Sequence, residues 1–81
     1  MNVSIDISMY PLNPDYKPPI RDFIERLKSY ENVTIHENNM STQVFGEYKE
    51  VMKIVQDEIE RTSGEDSKVV FAMKLIPMDL S

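Results

Sequence analysis

The stretch Val3-Ser4-Ile5-Asp6-Ile7-Ser8-Met9-Tyr10 alternates apolar and polar side chains without a break. A period of two residues is typical of a β-strand with one buried face and one face open to solvent. The following Pro11 has no backbone N–H and is expected to end the strand. We therefore predict that residues 2–11 form the central strand of the fold, with a row of oxygen-bearing side chains on its open face.

The rest of the chain alternates between helical and strand periodicity. Two prolines that suit a first helical turn begin the first predicted helix. Each predicted helix carries a stripe of apolar residues at helical spacing. We expect the acidic segment 56–60 to be a solvated face of the second helix. The predicted elements, in order, are a helix over 18–30, a strand over 33–36, a strand over 40–45 ended by Gly46, a helix from Glu47, a break over 62–67 with Gly64 as a C-terminal cap, and a strand over 68–76.

This order of elements predicts one ferredoxin-like βαββαβ domain over residues 1–81, of the α+β class. The sheet is expected to be antiparallel and four-stranded, in the order 4-1-3-2, with two helices on one face because right-handed crossovers place them there. Alternation then assigns the strand residues to the two faces. The predicted open face collects Ser4, Asp6, Ser8, Tyr10, Thr34, His36, Asn38, Ser41, Gln43, Phe45, Val70, Ala72, Lys74 and Ile76. The nearly continuous apolarity of the last strand predicts coverage of both its faces.

Composition argues against several classes of function. A formal net charge of -5 and a pI of about 4.7 would repel a phosphate backbone, so we expect no nucleic-acid partner. The sequence contains no apolar run of the roughly 20 residues that span a bilayer and does not start like a signal peptide, so we expect a cytoplasmic protein that binds no membrane. With 0 cysteines and a single histidine, His36, on a strand that the third strand separates from Asp6, we expect neither a metal site nor a cofactor.

Four segments of the chain resemble a known group of proteins. They are Met9-Tyr10-Pro11-Leu12, Asn39-Met40-Ser41-Thr42, Gly46-Glu47-Tyr48-Lys49-Glu50-Val51 and Val69-Val70-Phe71-Ala72-Met73-Lys74-Leu75. Their order and spacing resemble the YkoF-related and thiamine-binding-protein families. The resemblance implies a ferredoxin-like domain that binds thiamine or its hydroxymethylpyrimidine moiety and assembles through its sheet. This chain holds one domain where YkoF carries two in tandem, so a homodimer would have to replace the tandem arrangement.

We therefore expect a ligand on the open face of the sheet. A pyrimidine ring would stack near Tyr10 or Phe45, and Asp6 would accept a hydrogen bond from its exocyclic amine. The candidate ligand-binding residues are Asp6, Ser8, Tyr10, Asn39, Ser41, Gln43 and Phe45. No nucleophile, base or carboxylate pair lies within reach of another, so we do not expect an enzyme. The alternatives are a solvated face without function and a protein-interaction module that forms a dimer or tetramer without a small ligand.

Overall fold

The structure, a computed structural model, describes residues 1–65 and 68–81 and has the predicted order of strands and helices. Its elements are β1 (Asn2–Pro11), α1 (Lys17–Lys28), β2 (Thr34–Glu37), β3 (Thr42–Glu47), α2 (Tyr48–Glu65) and β4 (Val69–Ile76). The four strands form an antiparallel sheet in the order β2-β3-β1-β4, which confirms the predicted ferredoxin-like fold with β1 as an inner strand.

The register of the sheet confirms the predicted division into two faces. Asp6 lies opposite Gln43 on β3 and opposite Lys74 on β4, so these three side chains share the open face. Ile5 and Val44 lie opposite each other on the other face and are buried. Because side chains alternate along a strand, one matched pair settles the face of every residue in both strands.

The apolar row of β1 forms the floor of the hydrophobic core. Both helices cover it, and the buried core residues are Val3, Ile5, Ile7, Met9, Phe23, Leu27, Val44, Val51, Ile54 and Val55. Two prolines occupy the first turn of α1, where a missing N–H costs little. The Oε1 atom of Glu47 accepts hydrogen bonds from the backbone N–H groups of Lys49 and Glu50 at 3.0 and 3.3 Å, which caps the start of α2.

Two predicted boundaries at glycines are wrong. β3 continues through Gly46 to Glu47, because this glycine allows the strand to pass close beneath α2. A Cβ atom at Gly46 would lie 3.0 Å from the Val51 Cγ2 atom. α2 continues through Gly64 to Glu65, and no described glycine has a positive φ, so Gly64 is not a left-handed cap. Residues 66 and 67, the end of the predicted break, lie outside the described part of the chain.

In the single chain neither face of the last strand is fully covered, and coverage by a second copy stays a prediction. Val70 on the open face, and Met73 and Leu75 on the helix face, each expose nearly half of their surface. The reason is the position of the helices, which pack mainly on β1, β2 and β3 and leave the edge strand β4 largely uncovered. Val69 and Phe71 do pack against the core, and the ring of Phe71 contacts that of Phe23 with a centroid separation of 5.4 Å.

The acidic segment of α2 is also not uniformly solvated as predicted. Glu58 is buried between the helices, where its Oε1 accepts a 2.7 Å hydrogen bond from Arg26 Nε. Its Oε2 accepts a second, also 2.7 Å long, from the Tyr30 hydroxyl. Arg26 donates again to the hydroxyl of the buried Thr62 at 2.7 Å. This network joins α1 to α2, because each buried polar group finds a partner on the opposite helix.

Candidate functional site

Three of the predicted site residues form one hydrogen-bonded cluster at the centre of the open face. The Oδ1 atom of Asp6 accepts hydrogen bonds from Ser41 Oγ at 2.7 Å and from Gln43 Nε2 at 2.8 Å. The Gln43 amide also donates to Ser41 Oγ at 2.8 Å. The other oxygen, Oδ2, faces the Lys74 ammonium at 3.8 Å. The sheet thus brings together side chains that are 35 and 37 residues apart in the chain.

The cluster favours an ionised carboxylate. The hydrogen bond from Ser41 is the largest cause of a lowered pKa at Asp6, followed by the one from Gln43, while partial burial acts in the opposite direction. The charge of Lys74 lowers the pKa further, but this lysine is 78% exposed and its effect is screened by water. Asp6 therefore presents a fixed negative charge on the open face.

A tight turn between β2 and β3 positions Ser41. The side-chain Oδ1 of Asn38 accepts hydrogen bonds from the backbone N–H groups of Met40 and Ser41, at 2.7 and 2.9 Å. The Asn38 N–H donates to the carbonyl oxygen of Ser41 at 3.1 Å. Sequence reasoning placed Asn38 on the open face but did not include it in the site. Its position in the predicted turn, just before Asn39-Met40-Ser41-Thr42, could have indicated this role, since asparagine side chains commonly close such turns.

A cleft begins beside this cluster, at the end of β1. It has a volume of about 500 Å³ and lies between β1, α1 and the turn of the hairpin. Ile20, Phe23 and Ile24 of α1 contribute an apolar wall. The predicted site residues Ser8, Tyr10, Asn39 and Ser41 line it as well. Its volume and its mixture of apolar walls with a few polar groups are typical of small-molecule sites, which span roughly 300–1,000 Å³.

The two aromatic rings predicted to stack on a ligand differ in accessibility. Tyr10 stands at the rim of the cleft and is 53% exposed. Phe45 lies on the open face as predicted but is only 9% exposed, and its ring contacts His36 edge-on at a centroid distance of 5.2 Å. Ser8 places its hydroxyl 3.4 Å from the carbonyl oxygen of Met40, across the cleft.

The C-terminal segment closes one end of the open face. Ser4 Oγ donates to the carbonyl oxygen of Met78 at 2.8 Å and accepts from the N–H of Leu80 at 2.9 Å. The segment therefore lies over Ser4, which is buried although it belongs to the open face. The accessible part of the open face consequently runs from Asp6 towards Tyr10, the same end of the sheet at which the cleft lies.

The described residues hold neither a cluster of metal ligands nor a membrane-spanning helix. Within residues 1–65 and 68–81, no three His, Cys, Asp or Glu side chains are grouped so that they could hold a metal ion. β3 lies between the strands of His36 and Asp6, as predicted. Neither helix, over its described residues, is long and apolar enough to cross a membrane.

Comparison with known proteins identifies relatives in fold. No family model and no curated protein matches the chain. A solved structure from Streptococcus pneumoniae is 27% identical, with a TM-score of 0.88 over 99% of this chain and 90% of that one. A Thermotoga maritima protein provisionally assigned to thiamine biosynthesis or salvage is 19% identical, with a TM-score of 0.88 over 100% and 90%. A Bacillus cereus domain of unknown function, DUF77, is 17% identical, with a TM-score of 0.79 over 100% and 80%. The fold is therefore shared along the whole chain.

Proposed function

We propose that this chain is a non-catalytic binding protein for thiamine or for its hydroxymethylpyrimidine moiety, with the ligand on the open face of the sheet at a homo-oligomer interface. The observation that carries the proposal is the ionised Asp6 carboxylate, which Ser41 and Gln43 hold beside the cleft. The four segments that resemble thiamine-binding families support it. So does the fold shared with the Thermotoga maritima protein that is provisionally assigned to thiamine biosynthesis or salvage.

The binding mode follows from charge and shape. Because Oδ1 of Asp6 already accepts two hydrogen bonds, Oδ2 is the atom that receives an N–H group or the cationic ring of the ligand. Tyr10 offers the accessible ring face for stacking, since Phe45 is covered. Ser8 and Asn39 line the same cleft and supply a hydroxyl and an amide to the polar edges of the ligand.

A second copy of the chain is proposed to complete the site. Tyr10, Met40 and Val70 are exposed by 53%, 84% and 47%, although all three are apolar or aromatic and lie at or beside the open face. Contact with the same surface of another chain would bury them and exclude water from the ligand. The second candidate function is an oligomerising interaction module without a ligand, which the exposed apolar residues Met73 and Leu75 of β4 favour.

Titration calorimetry with thiamine and with hydroxymethylpyrimidine tests the proposal, with light scattering to measure the oligomeric state. We expect saturable binding by a dimer or tetramer, and a loss of about tenfold or more in affinity for Asp6→Asn, since a charge-assisted hydrogen bond is removed. Asp57→Asn is the matched control, because Asp57 is exposed on α2, where it forms an ion pair with Lys53. A folded oligomer that releases no heat with either ligand would favour the interaction module.

A further inference from the structure

β1 extends further than its neighbour β3. The β1–β3 ladder stops at the pair Ile7 and Thr42, whereas β1 remains paired with β4 as far as Pro11 and Val69. Beyond Ile7 the chain of β3 turns away into the hairpin turn, so a notch one strand wide opens beside the end of β1. Met9 lies at the middle of this notch and lines the cleft.

The direction of the Met9 peptide groups follows from a single hydrogen bond. The N–H of Leu12 donates to the carbonyl oxygen of Lys68 at 2.7 Å, on the β4 side of β1. In an antiparallel ladder each residue directs its N–H and C=O to the same neighbour, and successive residues alternate. Even-numbered residues of β1 therefore bond towards β4, and odd-numbered residues point towards β3. At Met9, this is the side on which β3 is missing.

Both backbone groups of Met9 thus point into the notch. Over residues 1–65 and 68–81 the structure records no hydrogen bond for the N–H or the C=O of Met9. The next residue with this orientation, Pro11, has no N–H, so the notch holds one complete donor and acceptor pair. A peptide strand would need a longer row of such pairs to be recognised. A small planar molecule can be recognised by a single pair of this kind.

The chemistry of the pair defines the class of ligand. In an extended residue the N–H and C=O lie side by side and form one edge with a donor next to an acceptor. A heteroaromatic ring with an amino group beside a ring nitrogen has the complementary edge, because the nitrogen accepts and the amine donates. The apolar side chains of Ile20, Phe23 and Ile24 wall the same cleft and suit the faces of such a ring.

We propose that the Met9 peptide binds the amino-substituted edge of a heteroaromatic ring and is the part of the cleft that selects this ring. The inference rests on the proposed function and refines it. Asp6 lies three residues along the strand, roughly 10 Å away. The aminopyrimidine end of a two-ring ligand would occupy the notch, and a cationic end would lie towards the Asp6 carboxylate.

A pair of variants and a pair of ligands test the role of the Met9 peptide. Met9→Pro removes the N–H, at a position where no ladder bond depends on it, whereas Met9→Leu changes the side chain and keeps the N–H. We expect Met9→Leu to bind hydroxymethylpyrimidine about tenfold more tightly than Met9→Pro, which is the effect of one lost hydrogen bond in a water-poor site. The desamino analogue should bind the wild-type protein more weakly than hydroxymethylpyrimidine by a similar factor.

A measurement on the wild-type protein covers the case in which Met9→Pro does not fold. Hydroxymethylpyrimidine should shift the ¹⁵N–H resonance of Met9 to lower field, and the desamino analogue should shift it less. Equal affinities for the two ligands, or an unmoved Met9 resonance on saturation, would overturn the assignment while leaving the proposed function intact. A wild-type protein that binds neither thiamine nor hydroxymethylpyrimidine would overturn both.

Discussion

Glu58→Ala removes the acceptor at the centre of the contact between α1 and α2. The substitution removes the acceptor that lies 2.7 Å from Arg26 Nε and the acceptor of the Tyr30 hydroxyl, in the space between the two helices, while the hydrogen bond from Arg26 to Thr62 remains. The Glu58 side chain is 4% exposed and that of Arg26 is 19% exposed, so water can replace the lost partner only incompletely. We therefore expect Glu58→Ala to cause a large loss of stability, although glutamate is a residue type usually found at the surface.

The size of the loss follows from the burial of the pair. Breaking a buried ion pair by removing one partner costs about 3–5 kcal/mol, and the partial exposure of Arg26 places this case near the lower value. For a domain of this size each kcal/mol lowers the melting temperature by roughly 4–8 °C. The expected decrease is then on the order of 12–24 °C.

Thermal unfolding followed by circular dichroism measures the decrease. Asp57→Ala is the matched control, since Asp57 is the neighbouring acid, is 52% exposed and pairs with Lys53 at 3.0 Å. Such an exposed pair contributes about 0–1 kcal/mol, so the control should melt within a few degrees of the wild type. Glu58→Gln keeps acceptor and donor groups and should fall between the two. Equal melting temperatures for Glu58→Ala and Asp57→Ala would refute the reasoning.

Further predictions concern the glycines and the pH dependence of stability. Gly64→Ala should raise the free energy of unfolding in urea by about 0.5–1 kcal/mol, because Gly64 lies in α2 with nothing within 4 Å of its added Cβ. Gly46→Ala should lower it by about 1–3 kcal/mol, since the new Cβ would meet a valine methyl at 3.0 Å and a backbone oxygen at 3.3 Å; the same sign for both would contradict the local geometry. The hydrogen bond to Glu58 raises the pKa of Tyr30 above its ordinary 10.0. The stability that this hydrogen bond contributes should be present below pH 10 and should be lost as the pH rises through the folded-state pKa of Tyr30. If Tyr30→Phe leaves the alkaline dependence of the free energy of unfolding unchanged, this assignment is wrong. The lowered pKa of Asp6 predicts the opposite sign. The stability that the Asp6 carboxylate contributes is present above pH 3.8 and is lost as the pH falls through its folded-state pKa, so Asp6→Asn should weaken the decrease in the free energy of unfolding at acid pH.

Much of the sheet could be predicted from the sequence because strand periodicity is a local property. The alternation in β1 identified the buried row and the open row, and the same rule placed Gln43 correctly on β3. Three of the seven predicted site residues, Asp6, Ser41 and Gln43, form the hydrogen-bonded cluster. Their grouping depended on the strand order, which the sequence of elements was sufficient to predict.

Glu58 shows why other features could not be predicted. It lies three and four residues after Val55 and Ile54, so its position in the apolar stripe of α2 was visible in the sequence. Its residue type nevertheless predicted a side chain exposed to solvent, because a glutamate is rarely buried without a partner. The partner is Arg26, which is 32 residues away on another helix.

Local sequence was therefore sufficient for the fold class, the strand order and the face on which each strand residue lies. Which part of the open face is accessible was decided only by tertiary packing, for three reasons. The C-terminal segment lies over Ser4, Phe45 is covered beside His36, and β3 leaves β1 two residues before Met9. The relative lengths of paired strands and the path of a chain end arise only when the elements pack together, so periodicity in any one segment carries no signal for them.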